Sequence, residues 1–351
     1  AYTFGAGRII AITGTNGKTT TTALTGEIMK NYFKDVRVVG NIGIPYTSMV
    51  TGSTDETVTV AEISSFQLET IDTFKPHISA ILNITPDHLN RHHTMENYIQ
   101  AKEDITKNQT QDDFCILNYE DEVLRSFAAE CPAKVIFFSS KSELSEGFYL
   151  DGDSIMYAHD GARDEIINVN DLNLLGKHNF ENVMAACAMS LSFGVPMDKI
   201  VEVLKVFKAV EHRIEYVTEK RGVKFYNDSK GTNPDAAIQG IRAMNRPTLL
   251  IGGGYDKQSE YDEWIEAFDG KVKELVLIGQ TADKIEECAH RHGFMNTVKK
   301  DTFEEAVSYC YEHAASGDAV LLSPACASWG MFPNYEERGR IFKELVKGLE
   351  E

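Results

Sequence analysis

The sequence lacks any paired-cysteine signature. Its six cysteines, Cys115, Cys131, Cys187, Cys288, Cys310 and Cys326, are widely dispersed and form no C-x-x-C. That argues against a disulfide scaffold and for reduced, mostly buried thiols. Long apolar runs are also missing. The longest uncharged stretch, Ala319 to Tyr335, contains Ser323, Pro324, Ser328, Pro333 and Asn334, which disqualifies it as a membrane span. No segment with the pattern of a signal peptide opens the sequence. Positive charge is scarce: Lys plus Arg number 35 against 53 Asp plus Glu, a net charge of −18. A surface this acidic excludes nucleic acid or an anionic membrane as the main partner. It leaves room for a nucleotide held locally by backbone N–H groups. We therefore expect a cytoplasmic protein that acts on small molecules; a monomer is expected as well, though not on the strength of this charge.

What is present is ample for a packed core. With 351 residues, 42% hydrophobic and 25% charged, the chain has the make-up of two globular domains. Apolar β-branched runs at Arg8–Thr13, Val36–Val39, Thr57–Ala61, Ile78–Asn83, Phe114–Asn118 and Lys134–Phe138 read as strands. Helical patterns at Lys18–Tyr32, Met95–Lys107 and Glu120–Glu130 lie between them. This alternation predicts a parallel sheet covered on both faces. Gly147–Leu150, Ser154–Ala158 and Glu165–Val169, separated by Asp-Gly turns, predict a small antiparallel patch. Helices over Asn179–Phe193 and Met197–Phe207 follow. Strands then resume at Lys224–Asn227, Thr248–Ile251, Glu274–Ile278 and Ala319–Ser323. The expected fold class is α/β. A P-loop-type, mainly parallel domain over residues 1–209 precedes a smaller Rossmann-like α/β domain over 210–351, with the boundary near Ala209–Glu211.

The strongest local signal is Thr13-Gly14-Thr15-Asn16-Gly17-Lys18-Thr19-Thr20, directly after a strand and opening a helix. Gly14 and Gly17 permit a tight turn whose N–H groups face phosphate oxygens, and the helix N-terminus adds its own donors. In this pattern Lys18 reaches the terminal phosphates and Thr19 ligates Mg²⁺. The strict phosphate-loop pattern fails at one position, where Ile12 replaces its first glycine. Glu62, at the C-terminal edge of its strand, and Asp87-His88, after the next one, lie where ligands of parallel sheets gather. Taken singly, Glu62 could be a capping residue and His88 an ordinary loop histidine. His88, His92 and His93 lack the Glu of a zinc-binding H-E-x-x-H, and Arg91 opposes a cation there. Lys102 on its own reads as a solvated lysine on a helix face.

Taken together, Ile12–Thr20, Gly40-Asn41-Ile42-Gly43, Glu62-Ile63-Ser64-Ser65-Phe66-Gln67, Asn83–His88 and Gly176–Asn182 resemble the central ATPase domain of the Mur ligases. Glu211-His212-Arg213, Asn227–Asp235, Gly252–Lys257 and Ser323–Ser328 resemble the member that adds D-glutamate to UDP-N-acetylmuramoyl-L-alanine. The resemblance implies an ATP-dependent amide ligase of peptidoglycan precursor synthesis, working through an acyl-phosphate. It implies that Lys18 neutralises the γ-phosphate within the loop Gly14, Thr15, Asn16, Gly17, Lys18, Thr19 and Thr20. Thr19 and Glu62 would hold one Mg²⁺ and His88 a second. Lys102 matches a carbamylated lysine that supports the metal, which requires a partly buried amine of depressed pKa. Asn179 and Asn182 match adenine contacts, with an N-cap as the rival role for Asn179. Arg213 and Asp228 match nucleotide contacts, and Asn41 a position near the reacting acyl group. Lys230, Thr232, Lys257 and Ser328 match a pocket for the two carboxylates of glutamate. Asn233-Pro234 also makes a good helix start, and Cys326 beside the pocket reads as filler.

Two departures qualify the match. Gly330 stands where the family usually has Asp. In the family the ATPase domain also follows a UDP-binding domain on the order of 100 residues, whereas this sequence starts almost at the phosphate-loop strand. The competing expectations are a sibling Mur ligase, a folylpolyglutamate synthase-like ligase, or an ATP-binding fragment without ligase activity of its own. A dinucleotide-binding oxidoreductase, suggested by Gly252-Gly253-Gly254, is the weakest, because three consecutive glycines are not G-x-G-x-x-G.

Overall fold

A computed structural model describes residues 1–41, 44–208 and 211–350, and only the backbone of Asn90. The chain divides into two units, Ala1–Phe207 and Lys208–Glu351. Of the expected boundary near Ala209–Glu211, Ala209 and Val210 lie outside the described residues, as do Ile42 and Gly43 of the Gly40–Gly43 motif.

In the first unit the strands are β1 Arg8–Thr13, β2 Val36–Gly40, β3 Val58–Glu62, β4 Ile78–Ile81, β5 Phe114–Asn118, β6 Lys134–Ser139, β7 Gly147–Asp151, β8 Ser154–His159 and β9 Ala162–Asn168. They form one sheet in the order β2-β3-β1-β4-β5-β6-β7-β8-β9. All pairings from β2 through β7 are parallel, and β7-β8-β9 is antiparallel. Strands β3 and β4 are buried along their whole length, the polar Thr59, Glu62 and Ser79 included, as interior strands of a parallel sheet covered on both faces are. The long helices Lys18–Tyr32 and Lys177–Phe193 pack against each other and against this sheet. On the core, Ile9, Ala11, Ala61, Ile81, Cys115 and Leu117 gather with Leu68, Tyr98 and Ile105.

Two expectations are refined here and one is met as stated. The expected antiparallel patch is present as β7-β8-β9, and it is continuous with the main sheet: β7 pairs with β6, Phe138 opposite Phe148 and Ser139 opposite Tyr149. Burial of Phe148 and Tyr149 supplies the reason. The Asp-Gly turns do close the hairpins, with Gly152, Asp160 and Gly161 at positive φ. The helix expected from Glu120 spans only Glu122–Phe127, because Asp121 caps it through its Oδ1, which accepts from the N–H groups of Val123 and Leu124.

The second unit carries β10 Glu215–Lys220, β11 Val223–Asn227, β12 Thr248–Gly253, β13 Val272–Ile278, β14 Thr297–Lys299 and β15 Ala319–Leu322. Their order is β10-β11-β15-β12-β13-β14, parallel except for the hairpin β10-β11. The sequence reading missed β10 and β14. Both are edge strands, and a half-solvated strand such as Glu-Tyr-Val-Thr-Glu-Lys needs no continuous apolar run. Asn233 does cap helix Pro234–Ala243, accepting from Ala236 N–H with Pro234 at the first turn.

Candidate functional site

In the first unit, β1 is the place where the chain's connections part: β3 lies on one side and β4 on the other. Open parallel sheets form a crevice at the C-terminal ends of such strands. Loop 14–17 leaves β1 there. Gly17 has φ +85°, and a Cβ on it would lie 2.3 Å from Asn182 Oδ1, so only glycine fits. Asn83, after β4, braces the loop. Thr15 N–H donates to its backbone carbonyl at 2.9 Å and Asn16 N–H to its Oδ1 at 2.8 Å. Two N–H groups expected to face phosphate are therefore already used. The donors left to the cradle are those of the first helical turn, which have no intrahelical acceptor.

Two lysines converge on one carbonyl. Lys18 Nζ donates to Gly14 O at 2.8 Å and to Thr15 O at 2.9 Å. Lys102 Nζ also donates to Gly14 O at 2.8 Å, from helix Met95–Glu103. Lys102 is 2% exposed, so it is no solvated helix-face lysine. Burial, and secondarily the charge of Lys18, bring its pKa down to about 7. Its Nζ sits 4.7 Å from the Tyr98 ring centroid. The Tyr98 hydroxyl in turn meets Thr15 Oγ1 at 3.0 Å.

Glu62 ends β3 in register with Ile12, two residues before the loop begins. It caps no helix; Ser64 does that, in a capping box with Gln67. Glu62 is 1% exposed. Its Oε1 accepts from Asn41 Nδ2 at 3.1 Å, while Oε2 is buried with no partner. A buried carboxylate oxygen without a donor is costly, and its chemistry fits a hard cation. Thr19 is half-buried and Thr20 buried. His88 has φ +52° and a half-exposed ring, 3.4 Å from Asp87 and 4.9 Å from the Phe66 ring. His92 turns inward instead, with Nε2 3.0 Å from Ser65 Oγ and Nδ1 3.2 Å from Glu69.

Asn179 is not an N-cap. The helix begins at Lys177 after Gly176, which puts Asn179 inside its first turn, with Nδ2 donating to Leu175 O at 2.7 Å. Asn182 Nδ2 donates to Asn179 Oδ1 at 3.2 Å, and Asn182 Oδ1 accepts from Thr21 Oγ1 at 3.2 Å. The pair thus ties one helix to the other beside Gly17.

In the second unit the loops after β11, β12 and β15 leave adjacent strand ends. Asp228 is buried; its Oδ2 accepts from Ser323 Oγ at 2.7 Å and its Oδ1 from Ile214 N–H at 3.3 Å. Burial pushes its pKa up to about 6, against the pull of Arg213. Arg213 Nε is itself buried without a partner. Lys230 lies 5.9 Å from the Tyr335 ring centroid and Lys257 4.8 Å from that of Trp329. Ser328 is buried and Thr232 half-buried. Cys326 is buried, its Sγ 3.1 Å from Tyr261 OH and 3.3 Å from Thr281 Oγ1, and burial raises its pKa away from a nucleophile's range.

The sequence reading quoted Asn83 in the Asn83–His88 motif without giving it a role, and missed Tyr98 and Arg338. For Arg338 a signal existed: it shares the i, i+4, i+8 stripe with the buried Phe342 and Val346. Among the described residues, two groups converge closely enough for a cation: Asp262, Cys288, His292 and Glu211, His212, Glu215. Both already hold basic partners, Arg291 on Asp262 and Lys343 on Glu215. No described helix is long and apolar enough to cross a membrane.

Comparison with known proteins places residues 12–190 under the Mur ligase middle domain and residues 212–326 under the Mur ligase, glutamate ligase domain. A UDP-N-acetylmuramoylalanine--D-glutamate ligase from Lachnoclostridium phytofermentans is 62% identical over 351 residues, 100% of this chain and 77% of that protein. One of the same name from Clostridioides difficile is 51% identical over 340 residues, 97% of this chain and 75% of that protein. Among solved structures, a MurF ligase from Thermotoga maritima in complex with ADP aligns with a TM-score of 0.69 at 19% identity, covering 98% of this chain and 82% of that one. At that identity the likeness is one of fold.

Proposed function

Because the chain belongs to the Mur ligase family of ATP-dependent amide ligases, we propose that it joins D-glutamate to UDP-N-acetylmuramoyl-L-alanine. The observation that carries the reading is identity of 62%, over every residue of the chain, with a ligase named for that reaction. The site's geometry supports the chemistry. A carboxylate is a poor acyl donor because its oxide leaves badly. Its oxygen attacks the γ-phosphorus of ATP, the bond to the bridging oxygen breaks, and ADP departs. The amine of D-glutamate then attacks the acyl carbon, the carbon–oxygen bond to phosphate breaks, and the nitrogen loses its proton. Positioning and charge neutralisation do most of this work.

Lys18 supplies positive charge to the transferring phosphoryl group, and the first helical turn through Thr20 holds the phosphates, with loop 14–17 shaping the approach to it. Asn179 and Asn182 line the nucleotide side of Gly17, and Asn41 orients Glu62 beside the acyl group. Thr19, Glu62 and His88 are the residues that would hold magnesium, which when bound draws charge from the phosphate oxygens. The unpartnered Glu62 Oε2 is what fits them to it. Lys102, with a pKa near 7, offers a neutral amine to CO₂: a nitrogen–carbon bond forms, a proton leaves, and a carbamate stands where the ammonium was. In the second unit Arg213 and Asp228 serve the nucleotide. Lys230, Thr232, Lys257 and Ser328 receive the two carboxylates of D-glutamate. The reading places a monomer in the cytoplasm, acting on small molecules and on neither nucleic acid nor membrane.

The test is a panel of amino acids supplied with ATP, Mg²⁺ and UDP-N-acetylmuramoyl-L-alanine, with release of ADP as the readout. D-Glutamate should give the fastest release. Preference for a diamino acid or for D-alanyl-D-alanine would sink the assignment.

A further inference from the structure

Arg338 is 1% exposed and lies in the first turns of helix Tyr335–Lys347. A buried guanidinium normally sits on a carboxylate, since an unpaired charge in the interior is expensive. Here its hydrogen bonds go to neutral oxygens instead. Nε donates to Ser229 Oγ at 3.0 Å, Nη2 to Ser229 O at 2.8 Å, and Nη1 to Cys326 O at 3.1 Å. Ser229 Oγ passes the chain on, donating to Tyr335 O at 2.8 Å. Burial lowers the arginine's pKa to about 10, against the pull of Cys326 and then of Asp228, so it is still protonated near neutrality.

The bonded atoms belong to the loops that carry the amino-acid pocket. Ser229 precedes Lys230, and Cys326 stands two residues before Ser328. The loop after β12 closes on the same point: a Cβ on Gly254 would lie 2.5 Å from Ala327 O and 3.5 Å from Arg338 Nη1. One planar fork therefore sets the spacing of two loops and borders the third, and it leaves a positive charge behind the pocket wall. The fork geometry is what a lysine lacks. The charge is what favours a dicarboxylate over its amide, because interior charges are poorly screened.

We propose that Arg338 is a positioning and specificity residue for the amino-acid substrate, fixing the loops that hold Lys230 and Ser328 and favouring a second carboxylate without touching the substrate. The inference rests on the D-glutamate pocket proposed above. The experiment titrates D-glutamate, and separately D-glutamine, into the chain loaded with ADP and Mg²⁺. It follows the fluorescence of Trp329, whose ring lies beside Lys257; the other tryptophan, Trp264, is fully buried.

Arg338→Met should raise the half-saturation for D-glutamate on the order of tenfold, narrow the preference over D-glutamine, and leave ADP affinity unchanged. Arg338→Lys should recover the preference but not the full affinity. A role confined to stability would lower the unfolding midpoint and move neither the preference nor its recovery. If Arg338→Met does not fold, Ser229→Ala removes the hydroxyl that links Nε to Tyr335 and should weaken D-glutamate several-fold. Folded variants with the parent's half-saturation and preference overturn the proposal. A parent chain in which D-glutamate produces no saturable change, and which matches its Lys257→Ala variant, overturns the pocket itself and the proposal with it.

Discussion

Lys102 gives the sharpest quantitative expectation. Its pKa falls from an ordinary 10.5 to about 7, so the folded state holds its proton less tightly than the unfolded chain. Between those two values the unfolded state binds more protons, and stability must rise with pH. At 1.36 kcal/mol per pH unit, the ammonium costs the fold roughly 5 kcal/mol at pH 6 and about 2 kcal/mol at pH 9, as ceilings. The substitution Lys102→Met keeps most of the volume and removes the titration. It also gives up the hydrogen bond to Gly14 O and some packing, but those losses do not depend on pH. The difference in stability between variant and parent should therefore shift by about 3 kcal/mol in the parent's favour from pH 6 to pH 9. Urea unfolding in argon-sparged, bicarbonate-free buffer measures it, because CO₂ would otherwise trap the neutral amine. An equal variant-to-parent difference at both pH values refutes the reasoning, and with it the supply of neutral amine that carbamylation needs.

The remaining expectations are simpler. Glu62→Gln keeps the acceptor for Asn41 and removes the buried charge, so the unliganded protein should unfold within about 1 kcal/mol of the parent. ADP binding by calorimetry should at the same time lose its dependence on Mg²⁺; an intact dependence would remove Glu62 from the metal assignment. Asp228, raised to about 6 by burial, binds its proton more tightly folded than unfolded. Stability is thus lost as pH rises from about 4 through 6, by up to roughly 3 kcal/mol. Asp228→Asn, which can still accept from Ser323, should erase that slope in denaturation curves taken from pH 4 to pH 7.

Much of the fold was legible because its signals are local. A short, β-branched apolar run between turn residues is the pattern of a buried parallel strand, and β1, β5 and helix Lys18–Tyr32 have the limits that their patterns predict. The edge strands β10 and β14 escaped notice for the same reason: half-solvated, they carry no such run. At the site, the residue types of loop 14–20 and their place between strand and helix announce phosphate chemistry without any knowledge of the tertiary structure.

The sequence by itself determined the alternation of strands and helices, the phosphate loop, the acidic surface and the family resemblance, all of which rest on backbone preferences and neighbouring residues. Only the tertiary structure decided which charged groups lose their water. Lys102 reaches Gly14 across 88 positions of chain, and Arg338 reaches Ser229 across 109. The same folding closed Asn182 over Gly17 and spent two loop N–H groups on Asn83. A lysine or arginine on an amphipathic helix reads as solvated until distant elements close over it. Desolvation is a property of the assembled interior, and it gives these ordinary residue types their reactive or organising character.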